Sequence, residues 1–93
     1  MKKIKMFYLQ GCPYCKNAFK AIEELVGENP EYKGIEIEKV EETEGEAEAS
    51  KYDYYYVPTM FIGDEKVYEA SPSQDFDSIK ASVKGAFDKA LSN

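Results

Sequence analysis

The sequence of 93 residues has no histidine, no tryptophan, no arginine and only two cysteines. Without histidine, no imidazole is available as a general base or as a metal ligand. The net charge of −6 argues against a nucleic-acid partner, because phosphate backbones are bound by clusters of Lys and Arg that release counterions. An anionic membrane surface is disfavoured for the same reason. Cys12 and Cys15 are therefore the most reactive groups in the chain.

Long hydrophobic runs are also missing. The basic start of the chain resembles a signal peptide, but the apolar run that follows covers only residues 6–9, short of the ~7–15 residues such a segment needs. No stretch reaches the about 20 apolar residues that span a bilayer. We therefore expect a cytoplasmic protein without membrane contact. In that reducing compartment a cysteine pair more often performs chemistry than forms a permanent disulfide.

The composition is that of a globular protein, with 43% hydrophobic and 14% aromatic residues. Compact domains usually hold ~100–150 residues, so a second domain of ordinary size does not fit. We expect residues 1–93 to form a single domain and, in solution, a monomer.

The first half of the chain alternates between strand and helix patterns. Residues 3–9 predict a buried strand, and the apolar spacing from Cys15 to Val26 predicts a helix closed by Gly27, with Pro13 in its first turn. Residues 34–40 alternate apolar and charged side chains, which is typical of a strand at a sheet edge.

The second half predicts a short helix, a hairpin and a long helix. Thr43 and Glu46 have the spacing of a capping box, which predicts a helix through about Asp53. Residues 59–62 and 66–69 flank a Gly63 turn and predict a hairpin, and residues 71–73 open the last helix. A strand–helix–strand unit gives parallel neighbours, whereas the hairpin adds antiparallel strands. The predicted fold class is therefore α/β, a sandwich around a four-stranded mixed sheet with the element order βαβαββα.

The two cysteines form a Cys-x-x-Cys motif where the first strand meets the first helix. Cys12 falls near the N-cap, where free backbone N–H groups and the helix dipole favour a thiolate, and this spacing is known to lower a thiol pKa. Cys15, one turn later on the inward side, is expected to be more buried and less ionised. The pattern predicts that Cys12 attacks a disulfide and that Cys15 resolves the mixed disulfide.

A structural zinc site is the first alternative to this redox role. A structural zinc site needs four protein ligands, and the chain has no second cysteine pair and no histidine to complete them. A site shared between two chains would supply them, but it is the less favoured interpretation, and we expect no metal. The acidic residues from Glu36 to Glu48 are expected to be a solvated face rather than a cation site.

The chain resembles the thioredoxin superfamily and, within it, the glutaredoxins. The segment Cys12-Pro-Tyr-Cys15 matches the active-site tetrapeptide of dithiol glutaredoxins, and residues 56–59 match the Val-Pro segment that begins their third strand. The resemblance covers nearly the whole chain and implies a thioredoxin-like three-layer sandwich. It also implies a disulfide reductase that acts on proteins or small molecules, with no bound cofactor and with glutathione as a possible reductant.

The resemblance also implies roles for three residues besides the cysteines. Pro58 is expected to be cis and to lie against Cys12, with the Val57 backbone turned outward to pair with a substrate. Tyr14 is expected to be exposed and to contact the substrate. Tyr52 and residues 54–56, directly before Pro58, are expected to form wall and core rather than a stacking platform.

The reductant stays open at the level of sequence. Glutaredoxins usually carry Lys or Arg where this chain has Leu9, and a Gly-Gly pair with an acidic or hydroxyl residue where it has residues 67–71. In that segment Tyr68 and Glu69 bring bulk and negative charge to the place where glutathione presents a carboxylate. A thioredoxin-reductase-like flavoenzyme is therefore the alternative to glutathione.

An alternative function is the binding of an iron–sulfur cluster, held by Cys12 and glutathione between two chains. Pro13 argues against it, since glutaredoxins that bind clusters generally avoid this proline. A redox-inactive interaction module is the weakest interpretation, because both cysteines are present.

Overall fold

The computed structural model describes residues 2–92, which form four strands and three α-helices in the predicted order. The strands are β1 (Ile4–Tyr8), β2 (Ile37–Glu41), β3 (Thr59–Ile62) and β4 (Glu65–Glu69). The helices are α1 (Pro13–Glu28), α2 (Glu46–Ala49) and α3 (Phe76–Ser92), and a 3₁₀ helix covers Pro30–Gly34. None of the helices within this described part is long and apolar enough to cross a membrane.

The strands form one mixed sheet in the order β2-β1-β3-β4. β1 pairs in parallel with β2, and β3 pairs antiparallel with both β1 and β4. The predicted fold class and the edge position of the second strand are confirmed. Because β1 is an inner strand, the turn that follows it leads directly from the sheet centre to the start of α1.

The sheet separates two apolar clusters, which makes the fold three-layered. Alternate residues of a strand point to opposite faces, and Ile4 and Met6 lie in the cluster covered by α1 and α3. Phe7 and Phe61 lie in the other cluster, which the short α2 and the segment after it cover. Each of these four side chains is at most 3% exposed.

The helix α1 continues through Gly27 and ends at Glu28, so the predicted stop at Gly27 is wrong. Asn29 leaves the helix because the residue before a proline avoids the α conformation, and Pro30 follows it. The Asn29 side chain then accepts a hydrogen bond from the Glu31 N–H and begins the 3₁₀ helix. That helix takes Gly34, the first residue of the predicted second strand, and β2 covers Ile37–Glu41 instead of residues 34–40.

The second helix is much shorter than predicted, and its capping box does not form. The Thr43 hydroxyl and N–H both donate to the Glu41 carboxylate, and Gly45 is the residue before α2. After α2 the chain turns so that Tyr52 and Tyr54 pack on Phe7, with ring centroids 5.0 and 5.3 Å away; the Tyr54 ring is stacked on Phe7 and the Tyr52 ring is tilted. Burial of these rings outweighs continuation of a four-residue helix.

The last helix begins at Phe76, five residues later than the predicted opening at Ser71. The Asp75 carboxylate accepts a hydrogen bond from the Ser78 N–H at 2.8 Å, which is the contact of an N-cap residue. Ser73, before it, adopts a left-handed conformation with φ of 69°.

Candidate active site

Cys12 is the residue immediately before α1, as the sequence predicts. Gly11 turns the chain from β1 with a φ of 81°, a conformation that L side chains rarely adopt. Cys12 is extended, with φ −77° and ψ 122°, and its C=O accepts the first helical hydrogen bond from the Lys16 N–H at 3.0 Å. Its half-buried thiol therefore lies at the positive end of a 16-residue helix.

Cys15 is one helical turn further and is only 1% exposed, which confirms that it is the more buried thiol. Burial raises the pKa of Cys15 to about 12, a hydrogen bond from the Leu9 N–H at 3.4 Å works in the opposite direction, and the neighbouring Cys12 raises it further. Both cysteines are reduced. At neutral pH the Cys15 thiol therefore keeps its proton.

The raised pKa of Cys15 predicts an alkaline loss of stability in the reduced protein. A thiol that holds its proton more tightly when folded releases it on unfolding, so the free energy of unfolding falls as pH rises above about 9 towards about 12. The expected slope is at most about 1.4 kcal/mol for each pH unit. Urea denaturation under reducing conditions, with Cys15→Ser as the matched control, measures it. Equal slopes in the two proteins would show that the Cys15 pKa is not raised.

Val57 lies beside Cys12, although 45 residues separate the two in sequence, and contact between Pro58 and Cys12 stays a prediction. The Val57–Pro58 peptide bond is cis, which confirms that expectation. The Cys12 thiol donates to the Val57 carbonyl oxygen, with Sγ and oxygen 4.0 Å apart. Pro58 is buried, and its own carbonyl accepts a hydrogen bond from the Ala70 N–H. The fold thus brings Cys12, Cys15, Val57 and Pro58 to one place.

Glu69 holds the segment before Val57 in position, a role that the sequence pattern does not reveal. Its carboxylate accepts hydrogen bonds from the Tyr55 N–H at 2.5 Å and the Tyr56 N–H at 2.9 Å, and it pairs with the Lys66 ammonium at 2.7 Å. Burial works to raise the pKa of Glu69, but Lys66 and the two N–H donors together hold it below its usual value. The Glu69 carboxylate thus contacts groups of this chain, namely two backbone N–H groups and the Lys66 ammonium.

Loss of the Glu69 carboxylate should loosen this segment. We expect Glu69→Ala to lower the free energy of unfolding by about 1–3 kcal/mol, because two N–H groups and an ammonium lose their acceptor. Reduction of a protein disulfide should slow more than reduction of a small disulfide, which does not need the Val57 backbone. Glu65→Ala, on the same strand, is the control with the same change in charge. Equal effects of the two variants on both substrates would contradict this role.

Tyr14 is half-buried and packs against the larger cluster, so the expectation that it is exposed is wrong. Its hydroxyl oxygen accepts a hydrogen bond from the Ser73 N–H at 2.8 Å. This hydrogen bond keeps the Tyr14 side chain against the protein. The Ser73 N–H that donates it belongs to a residue in the left-handed conformation, in the loop before α3. Tyr14 therefore ties the loop before α3 to the active-site turn, and contact between Tyr14 and a substrate stays a prediction.

The tyrosines before Pro58 divide into two pairs. Tyr52 and Tyr54 pack on Phe7 and Phe61, as expected for core residues. Tyr55 and Tyr56 are 86% and 51% exposed, so these two rings are not core. They flank the Val57 backbone on the surface.

Metal ligands are not grouped at this site. Within residues 2–92, no cluster of three or more His, Cys, Asp or Glu side chains is placed to hold a metal ion. The acidic side chains of β2 instead contact basic side chains or backbone: Glu38 pairs with Lys3 and Lys5, and Glu41 accepts from backbone N–H groups.

Comparison with known proteins points to one family. A family model described as a thioredoxin domain matches residues 2–82. A thioredoxin from Methanocaldococcus jannaschii is 29% identical over 73 residues, which are 78% of this chain and 84% of that protein.

Solved structures of thioredoxins have the same architecture. A mutant thioredoxin from Halobacterium salinarum has a TM-score of 0.56 at 27% identity, over 88% of this chain and 71% of the other. The Fasciola hepatica thioredoxin has a TM-score of 0.62 at 22% identity, over 95% and 79% of the two chains. Thioredoxin 1 from Thermosipho africanus has a TM-score of 0.59 at 16% identity, over 96% and 98%. The last two matches support the fold alone.

Proposed function

This chain belongs to the thioredoxin domain family and is a thioredoxin-like thiol–disulfide oxidoreductase, and we propose that Cys12 is its nucleophile and Cys15 its resolving thiol. The observation that carries the assignment is the contrast between the thiols: Cys12 is half-buried at a helix N-terminus, whereas Cys15 is buried and protonated. Only a thiolate attacks a disulfide, so the accessible thiol acts first.

The proposed reaction has two exchange steps. The Cys12 thiolate attacks one sulfur of a substrate disulfide, which forms a mixed disulfide and releases one substrate thiolate. The Cys15 thiol then gives up its proton and attacks Cys12 Sγ, which releases the second substrate thiolate and forms the Cys12–Cys15 disulfide. The released thiolates take up the Cys15 proton and one from water. Two electrons pass from the dithiol to the substrate.

The Val57 backbone is the proposed docking element for a protein substrate. Its carbonyl already accepts from the Cys12 thiol, so an extended segment lying along residues 55–57 would place its disulfide against Cys12 Sγ. The exposed rings of Tyr55 and Tyr56 extend this surface. The buried Pro58 follows Val57 through a cis peptide bond.

The proposed reductant is a dithiol flavoenzyme of the thioredoxin-reductase type rather than glutathione. Leu9 offers no cation, and its N–H is used by Cys15. Tyr68 is 6% exposed and part of the core, and the Glu69 carboxylate is bound to its own chain. The positions where glutaredoxins hold glutathione thus carry no matching groups. The glutaredoxin-like tetrapeptide is the feature in favour of glutathione.

A paired assay tests the reductant. The same protein disulfide is offered with NADPH and thioredoxin reductase in one reaction, and with NADPH, glutathione and glutathione reductase in the other. We expect turnover with thioredoxin reductase and little above background with glutathione. Turnover only in the glutathione system would overturn the choice of reductant and leave the Cys12 and Cys15 roles intact, whereas no turnover with either, or with dithiothreitol, would overturn the proposed function.

A further inference from the structure

A cleft opens beside Cys12 on the flank formed by β1, the turn after it and α1. Its volume is about 550 Å³, within the range of sites for small molecules. The side chains and backbone that shape it belong to Tyr8, Leu9, Gln10, Cys12, Lys16 and Phe19. The Val57 carbonyl approaches Cys12 from a separate segment that does not line this cleft.

The floor of the cleft is aromatic. The rings of Tyr8 and Phe19 meet edge to face, with centroids 5.0 Å apart and an angle of 83° between their planes. Both side chains are only partly buried, so part of each ring remains available for contact. An apolar or aromatic group that covers these rings would bind more favourably, since aromatic contacts contribute free energy beyond that of the buried apolar area.

One lysine lines the cleft and a second lies over the Phe19 ring, which is part of the cleft lining. Lys16 is exposed and lines the cleft, and the Lys39 ammonium lies 5.4 Å from the centroid of the Phe19 ring. Across the described residues 2–92, neither lysine forms a salt bridge. Lys2, Lys20, Lys33 and Lys51 form none either within this range, so Lys16 and Lys39 are distinguished by their position beside Cys12 and the Phe19 ring.

Two carboxylates, those of Glu41 and Glu42, lie near the cleft, and each accepts hydrogen bonds from its own surroundings. Glu41 reaches the Gln10 end of the cleft, but it accepts hydrogen bonds from the N–H groups of Gln10, Thr43 and Glu44. Glu42 accepts from the Tyr54 hydroxyl, on the side of the sheet away from α1. Both carboxylates keep their negative charge, so the attraction for an incoming anion comes from Lys16, which lines the α1 side of the cleft, and from Lys39 beside the Phe19 ring.

We propose that this cleft binds small aromatic or apolar thiols that bear a carboxylate, and that their disulfides are substrates of Cys12. The proposal rests on the role of Cys12 as nucleophile. The apolar body of the ligand lies on Tyr8 and Phe19, its carboxylate faces Lys16 and Lys39, and its sulfur reaches Cys12. The Cys12 thiolate displaces one ligand thiolate from the disulfide, and Cys15 displaces the second, so one disulfide becomes two thiols and the dithiol becomes a disulfide.

A small molecule suits this place better than a protein segment. A protein substrate that pairs with the Val57 backbone follows residues 55–57, whereas the cleft lies between β1 and α1. The cleft is lined by β1, the turn after it and α1, and it is of a size for one compact ligand. Protein and small-molecule disulfides would then approach Cys12 from two different flanks.

Two chromogenic aryl disulfides test the charge preference. Dithiobis(nitrobenzoate) carries a carboxylate on each ring, and dithiodipyridine is neutral at the same pH. The second-order rate constant of each is measured by stopped flow for the wild type, Lys16→Gln and Lys20→Gln. Lys20 is on the same helix and outside the cleft, so its variant is the control with the same change in net charge. Each disulfide is compared with itself, so the difference between leaving thiols cancels.

We expect Lys16→Gln to slow the anionic disulfide about two- to fivefold more than the neutral one, which is the factor of one partly exposed charge pair. Lys39→Gln should act in the same direction, and Lys20→Gln should leave the ratio of the two rates unchanged. Equal slowing of both disulfides by Lys16→Gln would overturn the proposal, because Lys16 would then act on Cys12 alone. The same change of ratio in Lys20→Gln would also overturn it, because net charge would then explain the preference.

The position of the bound ring is a second, independent readout. In Cys15→Ser, one nitrobenzoate thiol stays attached to Cys12 as a mixed disulfide, and the aromatic NMR signals can be compared before and after attachment. We expect the largest shifts at Tyr8 and Phe19. Largest shifts at Tyr55 and Tyr56 would place the ligand on the protein-docking flank and overturn the proposed cleft, while attachment itself would still support Cys12 as the nucleophile.

Discussion

Cys12→Ser is expected to abolish catalysed disulfide reduction, with kcat/KM lower by about a thousandfold or more. A serine hydroxyl stays protonated at neutral pH, so the attacking thiolate is lost. Cys15 does not replace it, because it is 1% exposed and burial raises its pKa to about 12. The measurement is NADPH-coupled reduction of a protein disulfide with thioredoxin reductase, with dithiothreitol as an alternative electron source.

The Cys12→Ser variant should remain folded, because Cys12 is half-buried and its thiol interacts with the Val57 carbonyl at 4.0 Å and with the Cys15 thiol, contacts that a serine hydroxyl can also make. A thermal melt within a few degrees of the wild type provides this control. A folded variant that keeps a tenth or more of the wild-type rate would show that Cys12 is not the nucleophile.

Cys15→Ser is expected to separate the two exchange steps. Attack by Cys12 persists, so one equivalent of substrate thiol is released and a mixed disulfide accumulates on Cys12. Steady-state turnover of a protein disulfide with thioredoxin reductase should fall about a hundredfold or more, because no internal thiol resolves the intermediate. Intact-mass spectrometry detects the adduct, and the coupled assay measures the loss of turnover.

Two controls accompany the Cys15→Ser experiment. The double variant Cys12→Ser, Cys15→Ser should form no adduct, which assigns the adduct to Cys12. Full turnover by Cys15→Ser with thioredoxin reductase would contradict the resolving role. Turnover by Cys15→Ser that appears only with glutathione would instead indicate a one-cysteine cycle and would favour glutathione as the reductant.

The order of elements and the cysteine site could be predicted because their signals are local. The tetrapeptide from Cys12 to Cys15 follows an apolar strand and opens an amphipathic helix, so the N-cap position of Cys12 and the burial of Cys15 follow from adjacent residues. The antiparallel pairing of β3 and β4 likewise follows from the turn at Gly63. The cis Val57–Pro58 bond, in contrast, follows from the family resemblance and not from a local pattern.

The roles of Glu69 and Tyr14 could not be predicted because they depend on contacts distant in sequence. Glu69 binds N–H groups 13 and 14 residues earlier, and Tyr14 accepts from an N–H 59 residues later. The predicted length of α2 is wrong for a similar reason, since Tyr52 and Tyr54 leave the helical path to pack on Phe7 of β1. In each case packing between elements overrides the local pattern.

The central claim is that the two thiols are unequal, with Cys12 reactive and Cys15 protected. Brief alkylation of the reduced wild-type protein with iodoacetamide at neutral pH, followed by peptide mapping, tests it most directly. We predict one label per chain, on Cys12, with Cys15 unlabelled until the protein is denatured. Labelling of Cys15 first, or of both cysteines at similar rates, would contradict the claim.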